Sequence, residues 1–263
     1  MKKILAIIMI FLPLVLINAQ DKKAEGPRRI KVMTYNLRFG ELSSLEQIAE
    51  HIKAFNPDFV ALQEVDVKTF RERAPKQNGK DFIGELAFRT GMLGLYGKSI
   101  YYKDGYYGIG ILSKYPYIKV QKVMLPRPEE KEQRVMLYAD FEFSPTDTLT
   151  FACTHLDYFS AETRQKQAAF INNILLKSTY PVILGGDFNA QPDSPEIKKE
   201  MSAWSMLTNN DFSIPAWKPE AKIDYIFGYP KKHWKVVRTQ TIQSSLSDHL
   251  PIITEMEIVN DNK

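Results

Sequence analysis

Six apolar stretches of the sequence end in, or carry, a side chain that can bind a metal ion or move a proton. In the clearest case, the apolar residues 182–184 and two glycines are followed directly by Asp187 and Asn189. Any one such residue is most often a turn residue or a helix cap. Their recurrence at one type of position points instead to a common site. The other members are Asn36, Glu64, His155, Asp224 and the pair Asp248-His249.

The chemistry of these side chains favours hydrolysis with the help of a hard metal ion. Oxygen donors suit Mg²⁺, with Mn²⁺ or Ca²⁺ as alternatives. The set also contains His155 and His249, and histidines beside carboxylates suit proton transfer near neutral pH. Asp224 stands inside an apolar run and therefore needs a partner, since an unpaired buried carboxylate is costly. The candidate oxygen donors are Glu64, Asp248, Asn36 and Asp187.

Other catalytic classes lack their sequence signatures in this chain. It has no His-x-Glu-x-x-His, cysteine cluster or multi-histidine stretch that would suggest zinc. It also has no Gly-x-Ser-x-Gly elbow and no glycine-rich loop that could hold phosphates. The single cysteine, Cys153, excludes an intrachain disulfide and is interpreted as a small buried residue of a strand. Hard metal, carboxylate and imidazole together indicate hydrolysis of a phosphoester.

Composition places the chain among globular proteins of ordinary charge. Its 263 residues are 44% hydrophobic and 25% charged, which is enough for one substantial core. The formal net charge is +4, but no dense block of lysine and arginine occurs. A polyanionic partner is therefore tolerated and not required.

The first residues have the layout of a secretory signal peptide. Lys2 and Lys3 precede the apolar run 4–17, and Ala19 offers a small residue before a polar stretch. The run is short for a membrane span, and an uncleaved anchor is the alternative. We therefore expect a signal peptide over 1–19, a linker over 20–29, one catalytic domain over 30–260, and an exported protein that is periplasmic or secreted.

Apolar, β-branched runs predict nine strands, and amphipathic runs predict four helices. Ser43 and Glu46 would form a capping box for the first helix, and Gly91 would end the second. Ser194-Pro195-Glu196 would open the fourth helix. The predicted strands are Ile30–Tyr35, Phe59–Leu62, Gly108–Leu112, Val135–Phe143, Leu149–Thr154, Val182–Gly185, Ile223–Phe227, Lys235–Thr241 and Pro251–Ile258. The other predicted helices are Ser43–Phe55, Asp81–Thr90 and Ala161–Lys177.

Strands and helices do not alternate strictly along the chain, which argues against a doubly wound parallel sheet. The pattern instead favours an α/β (α+β) single domain of two packed mixed β-sheets with helices outside. In such a layered fold, strand ends can gather the polar residues at one edge.

The ordered motifs resemble the endonuclease/exonuclease/phosphatase superfamily. Each motif alone is weak, but their order over about residues 30–255 is specific. The resemblance implies a four-layered α/β/β/α sandwich with the site at one end of the two sheets. The motifs are Tyr35-Asn36-Leu37-Arg38, Gln63-Glu64-Val65-Asp66, Gly108–Ser113, Thr154-His155-Leu156-Asp157, Gly185–Asn189, Ile223-Asp224-Tyr225-Ile226 and Ser247-Asp248-His249.

The resemblance also implies roles. Glu64 and Asn36 would hold the main metal, and Asp248 would contribute to a metal site nearby. His249, oriented by Asp224, would activate the attacking water or polarise the phosphate. The remaining implied roles are nucleophile and phosphoryl positioning for Asp187 and Asn189, a hydrogen bond to phosphate or leaving-group protonation for His155, and phosphate contact for Arg134.

Arg38 and Gln167 are weaker candidates for phosphate contact than Arg134, and a solvated surface position is the favoured interpretation of both. His51 and His233 are interpreted as surface residues. Apurinic endonucleases carry an acid where Arg38 stands and a tyrosine where His155 stands. Both departures, together with the export signal, argue against repair of abasic DNA.

The sequence therefore predicts an exported, divalent-metal-dependent phosphoester hydrolase, expected to be a monomer. A small or lipid-linked phosphoester is favoured as substrate, and a membrane lipid falls within that class. The alternative is a secreted endonuclease acting on DNA or RNA, which the scattered basic residues disfavour. A catalytically silent binding module on the same fold is a further alternative, disfavoured because every expected polar position is filled.

Overall fold

A computed structural model describes residues 28–259 of the chain. The predicted signal peptide, residues 20–27 of the predicted linker, and residue 260 lie outside the described residues. Arg29, which we assigned to the linker, is the first residue of a strand. Within residues 28–259, no helix has the length and apolar character needed to cross a membrane.

The described residues form strands that are more numerous than the helices. The strands are β1 (Arg29–Asn36), β2 (Phe59–Val67), β3 (Leu93–Tyr102), β4 (Gly105–Ser113), β5 (Tyr117–Met124), β6 (Val135–Ser144), β7 (Asp147–His155), β8 (Val182–Asp187), β9 (Ser205–Met206), β10 (Asp224–Tyr229), β11 (Trp234–Thr241) and β12 (Ile252–Ile258). The α-helices are α1 (Leu45–Phe55), α2 (Phe82–Thr90), α3 (Ala161–Leu175) and α4 (Pro195–Lys198). Short 3-10 helices cover Arg38–Gly40, Pro75–Gln77, Glu200–Ala203 and Lys231–His233.

The strands form two six-stranded mixed sheets. The first has the order β11-β12-β1-β2-β4-β3, and the second has the order β5-β6-β7-β8-β10-β9. In each sheet one parallel pair, β1 with β2 and β7 with β8, lies at the centre among antiparallel neighbours. Parallel pairing requires a crossover connection, and α1 and α3 provide these crossovers.

Three apolar clusters separate four layers. The central cluster joins the inner faces of the two sheets, and Phe59 there contacts the rings of Phe141 and Phe151. A second cluster lies between the first sheet and α1 and α2, and a third lies between the second sheet and α3 and α4. This is the predicted α/β/β/α sandwich in a single domain, so the fold prediction is confirmed.

The predicted helices and strands are largely found, with corrections at their ends. The N-cap of the first helix lies one residue later than predicted, because Ser44 and Gln47, and not Ser43 and Glu46, form the capping box. Gly91 ends α2 in the left-handed region as predicted. Ser194 precedes α4, but its hydroxyl donates to the Gln191 carbonyl and does not cap the helix.

Three strands were not predicted from the sequence: β3, β5 and β9. Each lies at the edge of its sheet. β5 exposes most of its residues, and β3 contains Gly94 and Gly97, so neither shows the apolar run that identifies a central strand. β9 has only two residues.

Candidate active site

Strand pairing places three of the predicted residues side by side in the second sheet. His155 is the last residue of β7 and lies opposite Asp187, the last residue of β8. Asp187 in turn lies opposite Asp224, the first residue of β10. The alignment follows from the register of three adjacent strands, so the backbone of each residue is fixed by ladder hydrogen bonds. All three are almost completely buried.

Two glycines let the backbone at this sheet edge pack closely. A Cβ atom at Gly186 would lie 2.3 Å from the carbonyl oxygen of Thr154 on β7. A Cβ atom at Gly185 would lie 2.9 Å from the Cβ of Ala61 in the facing sheet. The first contact holds β8 against β7, and the second brings the two sheets together beneath the site.

The first sheet contributes Asn36 and Glu64. Asn36, predicted to follow the first strand directly, is the last residue of β1, and Glu64 lies inside β2 and does not follow that strand. The register of β2 against β4 shifts between Leu62 and Val65, and Glu64 has a φ of 56°. A left-handed non-glycine residue costs free energy and persists only where the surrounding structure holds it in place. Bulges beside active sites often change the direction of a side chain. Here the bulge directs Glu64 towards Asn36.

Asn36 links the two sheets. Its amide nitrogen donates to Glu64 Oε1 at 3.2 Å and to Asp187 Oδ2 at 3.1 Å. Its oxygen accepts the backbone N–H of Arg38 at 3.0 Å. The Asn36 carbonyl accepts the hydroxyl of Ser247 at 2.7 Å, which fixes the Ser247-Asp248-His249 segment beside β1.

His249 forms a buried ion pair with Asp224. Nδ1 of His249 lies 2.9 Å from Asp224 Oδ2, and Nε2 lies 3.8 Å from Asp187 Oδ2. Burial alone would disfavour the imidazolium, but the charge of Asp224 and its hydrogen bond outweigh burial and raise the pKa of His249 to about 10. The ring is therefore held in its cationic form near neutral pH.

Asp187 has an environment that opposes its ionisation. Burial and the neighbouring charge of Asp224 raise the pKa of its carboxyl from the usual 3.8 to about 7. Hydrogen bonds from the Asn189 N–H at 2.8 Å and from Asn36 act in the opposite direction. A buried acid that titrates near neutral pH beside an imidazolium is a frequent feature of catalytic sites.

His155 is a neutral donor towards the same carboxylate. Its Nδ1 lies 3.0 Å from a guanidinium nitrogen of Arg134, and its Nε2 lies 3.5 Å from Asp187 Oδ2. Because the guanidinium can only donate, Nδ1 accepts and Nε2 carries the proton. Burial, Arg134 and His249 hold the pKa of His155 well below its usual value.

Arg134 is itself buried, and one of its donors has no partner. Its side chain contacts Glu132 at 3.2 Å as well as His155, while the buried Nε has no hydrogen-bond acceptor. Buried donors are rarely left unpaired in folded proteins, so this one is a candidate contact for an anionic ligand.

Asn189 takes a constrained position at the same edge. Its φ is 48°, and its side-chain nitrogen donates to the Leu156 carbonyl at 3.1 Å. That bond fixes the turn after β8 against the turn after β7. The predicted contact of Asn189 with a phosphoryl oxygen stays a prediction.

Two sets of donors in this site could hold a divalent ion. Donor atoms of Asp187, Asp224 and His249 lie within 4.8 Å of one another. An imidazolium there would repel a cation, however, and its Nδ1 is committed to Asp224. Glu64 and Asn36 offer oxygen ligands of the kind that hard divalent ions prefer. Burial raises the pKa of Glu64, and a cation bound nearby would lower it again. The donor set of Glu64, Asn36 and Asp248 therefore fits a hard divalent ion.

None of the four residues interpreted as surface positions is fully exposed. Arg38 is half-buried and forms ion pairs with Asp248 and Glu41. Gln167 is fully buried, accepts the Asp157 N–H at 2.8 Å and so supports the turn after His155. His51 is half-buried against the rings of Tyr35 and Phe55. His233 is also half-buried.

Sequence reasoning missed two buried polar residues behind Asp224. The hydroxyl of Ser213 donates to Asp224 Oδ2 at 2.6 Å, and the Lys222 ammonium donates to the Asp224 carbonyl at 3.3 Å. Lys222 directly precedes the Ile223-Asp224 motif, so its place beside an apolar strand could have identified it as a residue near the site. Ser213 stands in a polar loop without a recognisable pattern and becomes significant only through the fold.

Comparison with known proteins agrees with this fold and arrangement. Protein YbhP of Escherichia coli strain K12, described as uncharacterized, is 24% identical over 257 residues, covering 87% of this chain and 96% of YbhP. A crystal structure of an endonuclease/exonuclease/phosphatase from Beutenbergia cavernae superposes with a TM-score of 0.75 at 19% identity, covering 88% of this chain and 72% of that one. The mannosyl-6-phosphatase Bt3783 of Bacteroides thetaiotaomicron superposes with a TM-score of 0.68 at 16% identity, covering 88% and 100%.

The sequence profile of the endonuclease/exonuclease/phosphatase family matches residues 33–249, which include every residue of the site described above. The chain belongs to the endonuclease/exonuclease/phosphatase family.

Proposed function

We propose that this protein is a divalent-metal-dependent phosphoester hydrolase that acts on a small or lipid-linked phosphoester outside the cytoplasm. One observation carries the proposal. A buried imidazolium–carboxylate pair, a carboxyl that titrates near pH 7, a neutral imidazole donor and a hard oxygen ligand set converge where the two sheets meet. Family membership supports the reaction class.

A divalent ion held by Glu64, Asn36 and Asp248 would act as a Lewis acid towards the phosphoryl oxygens. The protein's own residues surround the position that a phosphoryl group would then take. The imidazolium of His249 would place positive charge beside it, and Nε2–H of His155, which lies 3.5 Å from Asp187, would donate to it. The free Nε of Arg134 adds a third donor. Donors fixed in advance stabilise the charge that develops in the transition state.

Asp187 is the candidate base for the attacking water. Its pKa of about 7 allows it to accept a proton at neutral pH, whereas His249, with a pKa of about 10, already carries one. The raised pKa of His249 therefore supports the role of polarising the phosphate over that of activating water, the two roles that the family resemblance left open.

The charge around the site supports a small substrate over a nucleic acid. Proteins that bind DNA neutralise many phosphates with free cationic side chains. Here arginines on several segments, including Arg38 and Arg134 beside the site, contact acids of the same chain. These pairs are Arg38 with Asp248 and Glu41, Arg71 with Asp66, Arg73 with Glu41, Arg134 with Glu132, and Arg164 with Glu196.

Exposed aromatic side chains on the same loops support a substrate with an apolar part. Tyr158 and Phe159, three and four residues after His155, are 65% and 74% exposed, and Trp217 is 72% exposed. The backbone N–H of Ala216, the neighbour of Trp217, donates to the Asp248 carbonyl at 2.7 Å. Aromatic residues exposed beside a site provide contact area for apolar or planar groups. By contrast, Trp204 and Tyr107 are buried and pack in the interior.

A substrate panel tests the proposal. The purified protein is assayed with Mg²⁺, with Mn²⁺ and with EDTA on an aryl phosphodiester, sugar phosphates, inositol phosphates, sphingomyelin and plasmid DNA. We expect turnover of at least one small or lipid-linked ester that EDTA abolishes. Absence of metal-dependent turnover on the whole panel would favour a silent binding module, and turnover of plasmid DNA alone would favour the nuclease. Cell fractionation tests the proposed export, which recovery in the cytoplasm would refute.

A further inference from the structure

Asp224 concentrates its hydrogen bonds on one oxygen. Oδ2 accepts both the hydroxyl of Ser213 at 2.6 Å and Nδ1 of His249 at 2.9 Å, while the buried Oδ1 has no partner. A carboxylate held only by the imidazole could exchange its two oxygens by rotation. The second donor on Oδ2 removes that freedom, and Ser213 is 0% exposed, so water does not replace it.

The direction of the Ser213 hydroxyl is also fixed. The backbone N–H of Ile223 points to the Ser213 oxygen at 3.5 Å, which leaves the hydroxyl hydrogen for Asp224. An ionised carboxylate can only accept, so the serine must donate in this pair. Hydrogen bonds to charged groups are the stronger kind.

The backbone around Ser213 is tied to both sides of His249. The Ser213 carbonyl accepts the N–H of Leu250 at 2.7 Å, and the Asp248 carbonyl accepts the N–H of Ala216 at 2.7 Å. Ser213 N–H also donates to Ala221 at 2.8 Å, which closes the loop before β10. One short segment, residues 213–216, therefore holds the carboxylate and the backbone of the histidine together.

We propose that Ser213 is a positioning residue for the Asp224–His249 pair. Its hydroxyl fixes Asp224 so that His249 keeps Nε2 directed at Asp187 and at the position of the phosphoryl group. This inference rests on the proposed function for its kinetic consequences, but its structural consequence does not depend on any substrate.

The test compares Ser213→Ala with a matched control. Thr150 also donates from a buried hydroxyl to a carboxylate, Asp140, at 2.6 Å, but it lies five residues before His155 on β7, roughly 17 Å away. Thr150→Val therefore removes the same kind of bond outside the site. We expect Ser213→Ala to lower kcat about tenfold with a change in KM of less than about twofold. Thr150→Val should leave both constants near wild type, and Ser213→Thr should recover most of kcat.

A spectroscopic measurement separates this inference from the proposed function. The Nδ1 proton of His249, identified by its absence in His249→Ala, should exchange with solvent faster in Ser213→Ala than in wild type. A wild-type protein without turnover would refute the proposed function and leave this readout intact. Unchanged kcat and unchanged exchange in a folded Ser213→Ala variant would overturn the role of Ser213, and so would an equal loss of kcat in Thr150→Val.

Discussion

At the scale of single residues, the site is built from groups that the fold holds in unfavourable states. Glu64 has a left-handed backbone, Asp187 is a buried carboxyl with a raised pKa, and Arg134 keeps an unpaired buried nitrogen. Each of these costs stability in the absence of a ligand. Proteins keep such destabilising groups where they bind a substrate or a metal ion. Replacing one of them should therefore raise the free energy of unfolding.

Asp187→Asn should stabilise the protein while removing activity. The folded state holds the Asp187 proton up to about pH 7, whereas the unfolded state releases it near 3.8. The folded state therefore binds more protons between these values, and the native carboxyl costs stability that grows as pH rises through this window. The asparagine variant lacks this cost, so its advantage should be absent at pH 3.5 and complete above pH 7.

The measurement is the free energy of unfolding in urea with EDTA present, at pH 3.5 and pH 8. At pH 8 we expect a gain on the order of a few kcal/mol, in the direction set by the raised pKa. A variant that is less stable than wild type at pH 8, or one with equal gains at both pH values, would contradict the description of Asp187.

At the scale of helices and strands, the site depends on register. His155, Asp187 and Asp224 lie in one row only because β7, β8 and β10 pair without slippage. Gly186 is the point of closest approach in that row. A substitution at Gly186 should reduce activity by displacing Asp187 and His155, because Gly186 has no catalytic side chain of its own.

Gly186→Ala should lower stability and kcat together. The new Cβ would lie 2.3 Å from the Thr154 carbonyl, so β8 must move away from β7 by part of an ångström or more. We expect a loss of about 2 kcal/mol or more in stability and a fall in kcat of about a hundredfold, because small displacements of catalytic groups are costly.

Gly91→Ala is the control for this prediction. Gly91 ends α2 with a φ of 71°, and a Cβ there would meet nothing within 4 Å. Alanine in this conformation should cost about 1 kcal/mol without any effect on kcat. The description of the β7–β8 contact would be wrong if Gly186→Ala kept wild-type kcat, or if both variants lost activity in proportion to stability.

The sequence allowed most of the central structure to be predicted, and the reasons are physical. Buried strands such as β8 are apolar throughout, and the polar residues that end them stand out against that background. The edge strands β3 and β5 have no such signal because solvent covers one side. The bulge at Glu64 was also missed, since nothing in Gln63-Glu64-Val65 marks a change of register.

Contacts between distant residues could not be predicted either. Arg38 is paired with Asp248, which lies 210 positions further along the chain. Nothing in the sequence near Arg38 distinguishes this position from an exposed one. Ser213 is one of several serines in polar loops. Such residues gain significance from the packing of loops around the site, which local sequence does not encode.

At the scale of the whole molecule, the two sheets bring together residues that neither sheet provides alone. The first sheet supplies the oxygen donors Asn36 and Glu64, and the second supplies His155, Asp187 and Asp224. A metal ion held by Glu64, Asn36 and Asp248 should stabilise the folded state at this junction of the two sheets, in addition to its chemistry.

Mg²⁺ or Mn²⁺ should raise the melting temperature of the protein. A ligand that binds only the folded state raises the free energy of unfolding, by about 2.7 kcal/mol at a concentration of 100 times Kd. For a domain of this size, that gain raises the melting temperature by roughly 5–10 °C. Calorimetry with metal and with EDTA measures the shift. Glu64→Gln should abolish most of it. Glu50→Gln, a change of the same kind at an exposed position of α1, should leave it intact. An unchanged shift in Glu64→Gln would place the metal elsewhere.

The most direct test of a catalytic site at this sheet edge is the kcat of His249→Ala, measured with saturating Mg²⁺ on the best substrate of the panel. His233→Ala, outside the site, serves as the control, and circular dichroism confirms that both variants are folded. We predict that His249→Ala loses at least about a thousandfold in kcat, while His233→Ala keeps the wild-type value. A folded His249→Ala variant within tenfold of wild type would contradict the account.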